Sequence, residues 1–335
     1  MCYNFSVMRF LNLLTLIILV FIPFFVFGQM VDLPFAFSNE LNVEFSPTYP
    51  RPNEQVLITL SLYSGDLSTA DISWYEDGRL VQRGRGLVTY LFTAGNTGER
   101  KNIELRIALL NGVSFTKQVN FNPASVDIVW EAISYTPPFY KGKALHARQG
   151  TIKVVAMPEF VANGVRIPSD RLVYNWSNGL QVLQSQSGYG KSAVYINGSL
   201  FGRTENIEVM VTDPINNLVA KGRVNISPVG PEIIFYKNDP YYGPLFENAL
   251  SSDYDLKTEE FEMMASPFFF SKEDMPGFTY NWKLNGNPID SIKFSRNAVF
   301  RKPEGSGRSM ISLAIENQNK ILQGATKNLT LIFDN

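Results

Sequence analysis

The stretch Ile72-Ser-Trp-Tyr-Glu-Asp-Gly78 returns twice further along the chain, as Tyr174-Asn-Trp-Ser-Asn-Gly179 and as Tyr280-Asn-Trp-Lys-Leu-Asn-Gly286. In each copy an apolar or aromatic residue stands two positions before the tryptophan, so both side chains point to one face of a β-strand. The Asp-Gly or Asn-Gly that follows supplies the positive φ of a hairpin turn. We therefore expect three equivalent core tryptophans, Trp74, Trp176 and Trp282.

The rest of each unit repeats as well. Alternating apolar residues begin 29, 31 and 29 positions after the three tryptophans, in the runs Ile103–Ile107, Ile207–Val211 and Ile311–Ile315. A turn and a closing strand follow each run, over residues 113–121, 218–226 and 321–333. Before each tryptophan lie a proline-broken kink and a strand, and the strands of the last two units are expected to end in the exits Ala156-Met-Pro158 and Ala265-Ser-Pro267. Self-similarity at a fixed spacing is typical of tandem domains.

Short strands separated by turns, recurring roughly every 8 to 12 residues, predict β-sandwiches of about 100 residues. We expect an all-β chain with a signal segment at residues 1–28, followed by three immunoglobulin-like sandwiches. Their predicted bounds are residues 29–124, 125–229 and 230–335. The junctions between them are short and carry proline, which stiffens a linker. Such an array should form an elongated rod.

The strand with Trp74 and the following Tyr-Glu-Asp-Gly resembles the third strand of immunoglobulin domains, and the spacing from tryptophan to glycine resembles bacterial PKD-type repeats. The chain as a whole is similar to tandem sandwich proteins exported by bacteria of the candidate phyla. This resemblance implies a fold and an extracytoplasmic location but no activity. The chain departs from the immunoglobulin pattern because its one cysteine is Cys2, so aliphatic residues near Leu60 or Leu62 and Leu105 stand where the inter-sheet cystine would lie. It also lacks the Gly-Asp-Gly of PKD repeats.

The N-terminus has the layout of a secretory signal. Residues 11–27 form an apolar run behind the positive charge of Arg9, and Val26-Phe-Gly28 offers a cleavage site before Gln29. This layout predicts a signal peptide at residues 1–28. The alternative is an uncleaved N-terminal anchor, which the short run and its Pro23 disfavour. In both cases we expect an exported protein that meets the membrane through this segment if at all.

The composition excludes several chemistries. A formal net charge of −1 gives no electrostatic basis for binding nucleic acid. The predicted mature chain has one histidine, His146, and no cysteine, because Cys2 lies in the signal segment. It therefore supplies no Cys-His pair and no zinc site of nitrogen and sulfur ligands, and we expect His146 to be structural. We predict no cofactor, no metal and no catalytic residue, and a hydrolase with paired carboxylates is the enzyme alternative. Asp253-Tyr-Asp255 is expected to be a solvated loop rather than a calcium site, and Pro244–Leu250 a short helix.

Two surface features are candidates for recognition. The proline-broken kinks carry aromatic residues at similar positions of the three units, namely Tyr49, Phe139, Tyr140, Tyr241 and Tyr242. These rings either pack against a neighbouring domain or a strand edge, or they form a repeated platform for sugars or peptides. The second feature is a basic zone of the first unit, interpreted as a solvated face, which comprises Arg79, Arg83, Arg85 and Arg100.

The sequence therefore favours a non-catalytic extracytoplasmic structural or interaction protein, such as a cell-surface spacer, adhesion or assembly component. Its partner would be an extracellular protein or a glycan. The alternative is a carbohydrate-binding or accessory module of an exported enzyme system. A deep pocket with convergent polar groups would favour catalysis, a shallow aromatic strip would favour sugar binding, and neither would favour a spacer.

Overall fold

The structure, a computed structural model, describes residues 41–63 and 66–334. The predicted signal peptide at residues 1–28 lies outside this part of the chain. Within it, no helix is long and apolar enough to cross a membrane. The described residues form three consecutive immunoglobulin-like β-sandwiches, here called domains 1, 2 and 3, with only short 3-10 turns besides the strands.

Domain 1 packs a three-stranded sheet of order β1-β2-β5 on a four-stranded sheet of order β4-β3-β6-β7. Its strands are β1 Leu41–Ser46, β2 Gln55–Leu62, β3 Asp71–Glu76, β4 Arg79–Arg85, β5 Thr89–Thr93, β6 Lys101–Ala108 and β7 Ser114–Phe121. Alternation with period 2 sends Val56, Ile58 and Leu60 of β2 into the core, where each is at most 4% exposed. The outer strand β4 buries none of its residues.

Domain 2 packs a sheet of order β15-β9-β8 on a sheet of order β13-β12-β16-β17, with β14 also pairing with β12 and β10 pairing with β11. Its strands are β8 Ser125–Ala132, β9 Thr151–Glu159, β10 Val161–Ala162, β11 Val165–Arg166, β12 Val173–Asn178, β13 Gln181–Val182, β14 Gly188–Tyr189, β15 Ala193–Asn197, β16 Glu205–Asp213 and β17 Leu218–Ile226. A long connection between β8 and β9 reaches the next domain.

Domain 3 packs a sheet of order β19-β18-β21-β24 on a sheet of order β20-β26-β25-β22-β23. Its strands are β18 Glu232–Asp239, β19 Gly243–Ala249, β20 Asp253–Asp255, β21 Glu260–Phe268, β22 Phe278–Leu284, β23 Asn287–Pro288, β24 Asn297–Arg301, β25 Gly307–Asn317 and β26 Gly324–Phe333. Every sheet of the described residues is formed within one of the three domains.

The three repeated tryptophans lie in the three hydrophobic cores, on β3, β12 and β22. Trp74, Trp176 and Trp282 are 1%, 0% and 1% exposed. In each domain the indole N–H donates to a backbone carbonyl of the chain that follows, at Leu87 (3.0 Å), Lys191 (2.9 Å) and Ser295 (2.9 Å). A buried indole thus keeps its one donor satisfied, as burial requires.

Aliphatic packing occupies the centre of domain 1, where an immunoglobulin domain would carry its cystine. Leu60 and Leu105 are 4% and 3% exposed, and Leu105 lies directly opposite Trp74 in the register of β3 and β6. The same register sets Val209 opposite Trp176 and Leu313 opposite Trp282. The sequence repeat therefore places a tryptophan opposite an aliphatic residue of the neighbouring strand in all three domains.

The prediction of a short helix at Pro244–Leu250 is wrong. Residues 243–249 form β19, which pairs with the outer side of β18. Phe246 of this strand packs edge-on against Tyr236 at 5.3 Å between ring centroids. The open backbone edge of β18 and this ring contact favour a strand over the helical spacing of the apolar residues.

Two further local predictions are also corrected. Asp253-Tyr-Asp255 is not a loop but β20, which pairs in parallel with β26 and closes the edge of its sheet. The prolines taken as strand exits, Pro158 and Pro267, lie inside β9 and β21. The neighbouring strands β15 and β24 pair with β9 and β21 only as far as Val155 and Met264, before either proline is reached. On that side proline has no strand partner whose carbonyl would need its missing N–H.

Candidate functional site at the domain junctions

A cleft of about 700 Å³ opens between domains 1 and 2. It is lined by domain 1, by the linker Asn122–Pro123 and by the tips of two hairpins of domain 2, β10–β11 and β16–β17. We call it the junction cleft. A volume of this size is within the range of small-molecule sites, roughly 300–1,000 Å³.

Two contacts between the domains border the junction cleft. The Arg51 guanidinium donates to the Asp127 carboxylate (2.6 Å) and to the Val126 carbonyl (3.1 Å), which ties domain 1 to β8. Gly98, with φ +79°, lies against Val161, and a Cβ at this position would be 2.6 Å from its Cγ1. Only glycine permits both this φ and this approach. The walls of the cleft are therefore held together by side-chain and backbone packing.

The lining of the junction cleft combines polar and apolar side chains. Arg100 is its one charged lining residue, and its Nε donates to Asn120 Oδ1 at 3.1 Å. Within the described residues the Arg100 guanidinium has no acidic partner. The Oδ1 atom of Asn122 is buried and has no hydrogen-bond partner there. The cleft thus offers an uncompensated positive charge.

The predicted surface residue Tyr49 lies in the lining of the junction cleft and is 40% exposed. Arg100, which the sequence grouped with Arg79, Arg83 and Arg85, is separated from them because those three belong to the outer strand β4. The structure therefore brings together one predicted aromatic residue, one predicted arginine and several asparagines that the sequence did not single out as site residues.

Domains 2 and 3 meet through a cluster of aromatic rings. Phe139, from the connection between β8 and β9, stacks on Phe246 of domain 3 with ring centroids 3.8 Å apart. Tyr140 contacts Phe268 edge-on at 5.5 Å. We call this set, with Tyr236 and Phe269, the aromatic junction. Phe139 and Tyr140 thus pack between domains, which is one of the two roles that their sequence allowed.

Backbone hydrogen bonds reinforce the aromatic junction. Tyr135 N–H donates to the Phe270 carbonyl (2.6 Å), and Phe269 N–H donates back to the Tyr135 carbonyl (2.8 Å). Phe269 has a φ of +60°, which is uncommon for an aromatic residue and persists where tertiary contacts hold it. The two domains therefore share a short antiparallel pairing.

A buried polar cluster extends this junction. Gln323 is 1% exposed, and its Nε2 donates to the Arg148 carbonyl of domain 2 at 2.7 Å. The Leu322 N–H donates to Gln149 Oε1 at 2.9 Å. Around Gln323, the Lys320 ammonium contacts the Asp274 carboxylate at 3.1 Å and the Ser271 hydroxyl at 2.7 Å. Polar residues of the turn between β25 and β26 thus bind domain 3 to domain 2.

Asp274 is kept ionised by this cluster. Burial alone would raise its pKa, but hydrogen bonds from Asn317, Asn319 and Lys320, together with the Lys320 charge, outweigh burial and hold the pKa of Asp274 below its usual range. The contribution of Asp274 to stability is therefore present above its unfolded pKa, near pH 4, and is lost as the pH falls further.

His146 is buried where domain 2 meets its linker to domain 3. Its side chain is 1% exposed, and both ring nitrogens lack a hydrogen-bond partner among the described residues. Its backbone carbonyl accepts from the Val229 N–H of the linker at 2.8 Å. The ring lies on Gly198, where a Cβ would be 2.5 Å from Cε1. Burial lowers the pKa of His146, and the nearby Glu205 carboxylate opposes that effect in part.

We expect domain 2 to lose stability as the pH falls below about 6.5, the pKa of an unfolded histidine. Because the folded pKa of His146 is depressed, the unfolded state binds the proton first, and protonation favours unfolding. Urea unfolding at about pH 7.5 and about pH 5.5 measures the effect, and His146→Phe should reduce it. His146 is the one histidine of the chain, so its proton resonances titrate alone. Equal stability at both pH values would contradict the expectation.

Tyr241 and Tyr242 lie away from both junctions, in the turn between β18 and β19. They are 91% and 84% exposed. Their backbone N–H groups donate to the Asp239 carboxylate (2.9 and 3.2 Å), which fixes the turn and leaves both rings in solvent. The five aromatic residues grouped by the sequence therefore occupy three different environments.

The described residues contain no group of three or more His, Cys, Asp or Glu side chains placed to hold a metal ion. Gln323 and the cleft asparagines are the residues that sequence reasoning missed. Asn163 and Asn217 lie at hairpin turns with φ of 51° and 54°. Asparagine is common at such turns, so the sequence did not indicate that these two residues lie beside the linker. In the sequence, the clue was the richness of these turns in asparagine, a residue with both a donor and an acceptor.

No protein-family model matches the chain, and no curated protein does. Several solved structures resemble the chain at low identity. The three N-terminal domains of the bacteriophage RB49 outer capsid protein Hoc are 11% identical over 88% of this chain and 98% of that one, with a TM-score of 0.28. The central fibronectin-III array of RIM-binding protein is 11% identical over 89% and 96%, with a TM-score of 0.30. Bacteroides ovatus SGBP-B is 10% identical over 88% and 70%, with a TM-score of 0.21. At these identities and TM-scores, the three structures do not indicate what the chain binds.

Proposed function

We propose that this chain is a non-catalytic interaction protein of the extracytoplasmic space, in which three sandwiches in series hold a recognition surface away from the cell. A cell-surface spacer, an adhesion component and an assembly component all have this mechanical role. The signal-like layout of residues 1–28 supports export. An extracellular protein or glycan is the partner class that this location offers.

The packed junctions are the observation that carries the proposal. Flexible linkers let domains reorient freely, whereas here side chains and backbone bind each domain to the next. Arg51 joins domain 1 to Asp127, and Phe139 stacks on Phe246 between domains 2 and 3. A series of domains with fixed junctions transmits position and force along its length, which is the requirement for display.

Small-angle scattering of the chain from Gln29 onward tests the mechanical role. A sandwich of strands of about 8–10 residues, each residue advancing about 3.3 Å, is about 35–40 Å long with its loops. We therefore expect a maximum dimension of about 100–120 Å for three domains in series. A compact particle of about 70 Å, near that of a single globule of this length, would overturn the spacer role.

A further inference from the structure

We infer that the junction cleft between domains 1 and 2 is a binding site for an acidic oligosaccharide, a glycan segment of a few sugar units that carries a carboxylate. This inference rests on the proposed non-catalytic interaction role and names the partner class. Four properties of the cleft carry it: its charge, its free carboxamides, its aromatic wall and the fixed position of its two sides.

The charge of the cleft selects for an anion. Arg100 is the one ionisable cation among the lining residues, and none of them is an aspartate or glutamate. Its Nε is held by Asn120 Oδ1 (3.1 Å), which in turn accepts from Asn102 Nδ2 (2.8 Å). This chain of hydrogen bonds orients the guanidinium and leaves its two terminal nitrogens for a ligand. A guanidinium with two donors in a fork matches the geometry of a carboxylate.

The carboxamides of the cleft match hydroxyl groups. Asn163 and Asn217 come from separate hairpin tips of domain 2, and both line the cleft. Neither side chain makes a hydrogen bond within the described residues. Each carboxamide both donates and accepts, as each sugar hydroxyl does. A ligand rich in hydroxyls therefore complements the carboxamides of Asn163 and Asn217.

The aromatic wall supplies the surface for a sugar ring. Tyr49 lines the cleft and is 40% exposed. It follows β1, whose Phe45 packs edge-on against Phe121 at 5.2 Å, and both phenylalanines also line the cleft. An apolar body with a polar tip is the kind of side chain that packs against the C–H face of a ring and hydrogen-bonds at its rim.

The two sides of the cleft are held in a fixed relation without the ligand. Arg51 ties the wall that carries Tyr49 to Asp127 and Val126 of domain 2. The close approach of Gly98 to Val161 fixes the second contact. A preformed site loses little conformational freedom on binding, which favours affinity for a small polar ligand.

Other ligand classes fit less well. Nucleic acid and polyphosphates require several cations, and the lining of the cleft has only Arg100. One carboxylate among several hydroxyls is the composition that the lining complements.

Calorimetric titration of the chain from Gln29 onward with trigalacturonate, a glucuronate trimer, mannuronate and guluronate trimers and sialyllactose tests the site. We expect at least one to bind at millimolar concentration or below and to bind at least tenfold more tightly than cellotriose. Arg100→Ala should abolish this preference for the acidic ligand. Tyr49→Ala should weaken acidic and neutral sugars together, because stacking does not depend on charge. Arg83→Ala, an exposed arginine of β4 outside the cleft, is the matched control and should bind as the unaltered chain does.

Two outcomes would overturn the inference. One is that no member of the acidic panel binds at millimolar concentration. The other is binding that survives both Arg100→Ala and Tyr49→Ala, which would place the sugar elsewhere on the protein. Both variants carry exposed substitutions, and an unchanged melting curve shows that they are folded. Scattering tests the spacer role independently of sugar binding. An elongated particle that binds no acidic sugar would overturn the inference about the cleft but leave the spacer role standing.

Discussion

Replacement of Trp282 by alanine should unfold domain 3 and remove its junction contacts with domain 2, while domain 1 keeps its stability and domain 2 keeps its own core. The indole is 1% exposed, stacks on Phe235 with ring centroids 5.8 Å apart, and contacts Phe300 edge-on at 6.4 Å. Its N–H bond to the Ser295 carbonyl would also be lost, leaving that carbonyl without this donor. Large-to-alanine changes of buried aromatic residues cost about 3–5 kcal/mol, a large share of the stability of a domain of this size.

Thermal and urea unfolding, followed by near-ultraviolet signals and amide exchange, measures this effect domain by domain. Trp282→Phe keeps part of the packing and should lie between the two extremes. Phe294→Ala, at a site 76% exposed in the same domain, is the control for loss of an aromatic ring as such and should leave melting unchanged. If Trp282→Ala melts like the unaltered chain, the core assignment of β22 fails.

The fold can be predicted from the sequence wherever the residues of one strand are enough to show which of its faces is buried. The alternation around Trp176 and along Ile207–Val211 is local, so a pattern of period 2 predicts which side chains face inward without knowledge of the partner strand. The threefold repetition adds what a single copy cannot, because three agreeing copies identify a domain rather than a motif. The tandem sandwich architecture was therefore predictable.

The junctions were less predictable because their contacts join distant parts of the chain. Gln323 donates to the Arg148 carbonyl across 175 positions, and nothing near Gln323 in the sequence indicates that it is buried. The short segment 244–250 had helical spacing, yet the open edge of β18 turned it into a strand. Local pattern loses to tertiary context where a segment is short and an unpaired edge lies beside it.

The junction cleft shows the same limit in a functional site. Tyr49 and Arg100 were singled out in the sequence, the first as an aromatic surface residue and the second as part of a basic zone. These two residues meet within domain 1, but Asn163 and Asn217, which complete the cleft, come from domain 2, whose placement the linker composition does not specify. Residue types can suggest recognition chemistry, but which residues line the cleft together depends on the packing of the two domains.

Phe139→Ala should uncouple domains 2 and 3. The ring stacks on Phe246 at 3.8 Å and contacts Tyr236 and Phe268 edge-on at 5.5 and 6.5 Å. Truncation would remove these contacts and expose apolar surface of domain 3, at a cost to the junction of about 1.5–3 kcal/mol. The backbone pairing of Tyr135 with Phe269 and Phe270 would then lose its apolar cover.

Two measurements report this uncoupling. In unfolding experiments domains 2 and 3 should separate into distinct transitions, and amides of residues 133–140 and 268–270 should exchange faster, while domain 1 is unaffected. In scattering, the profile should broaden toward that of a hinged particle, because a junction that has lost its packing samples more orientations. Phe201→Ala, at a site 77% exposed in domain 2, is the matched control and should change neither readout. If Phe139→Ala leaves the transitions and the exchange rates as they were, the polar cluster around Gln323 alone holds the junction, and the aromatic rings only cover it.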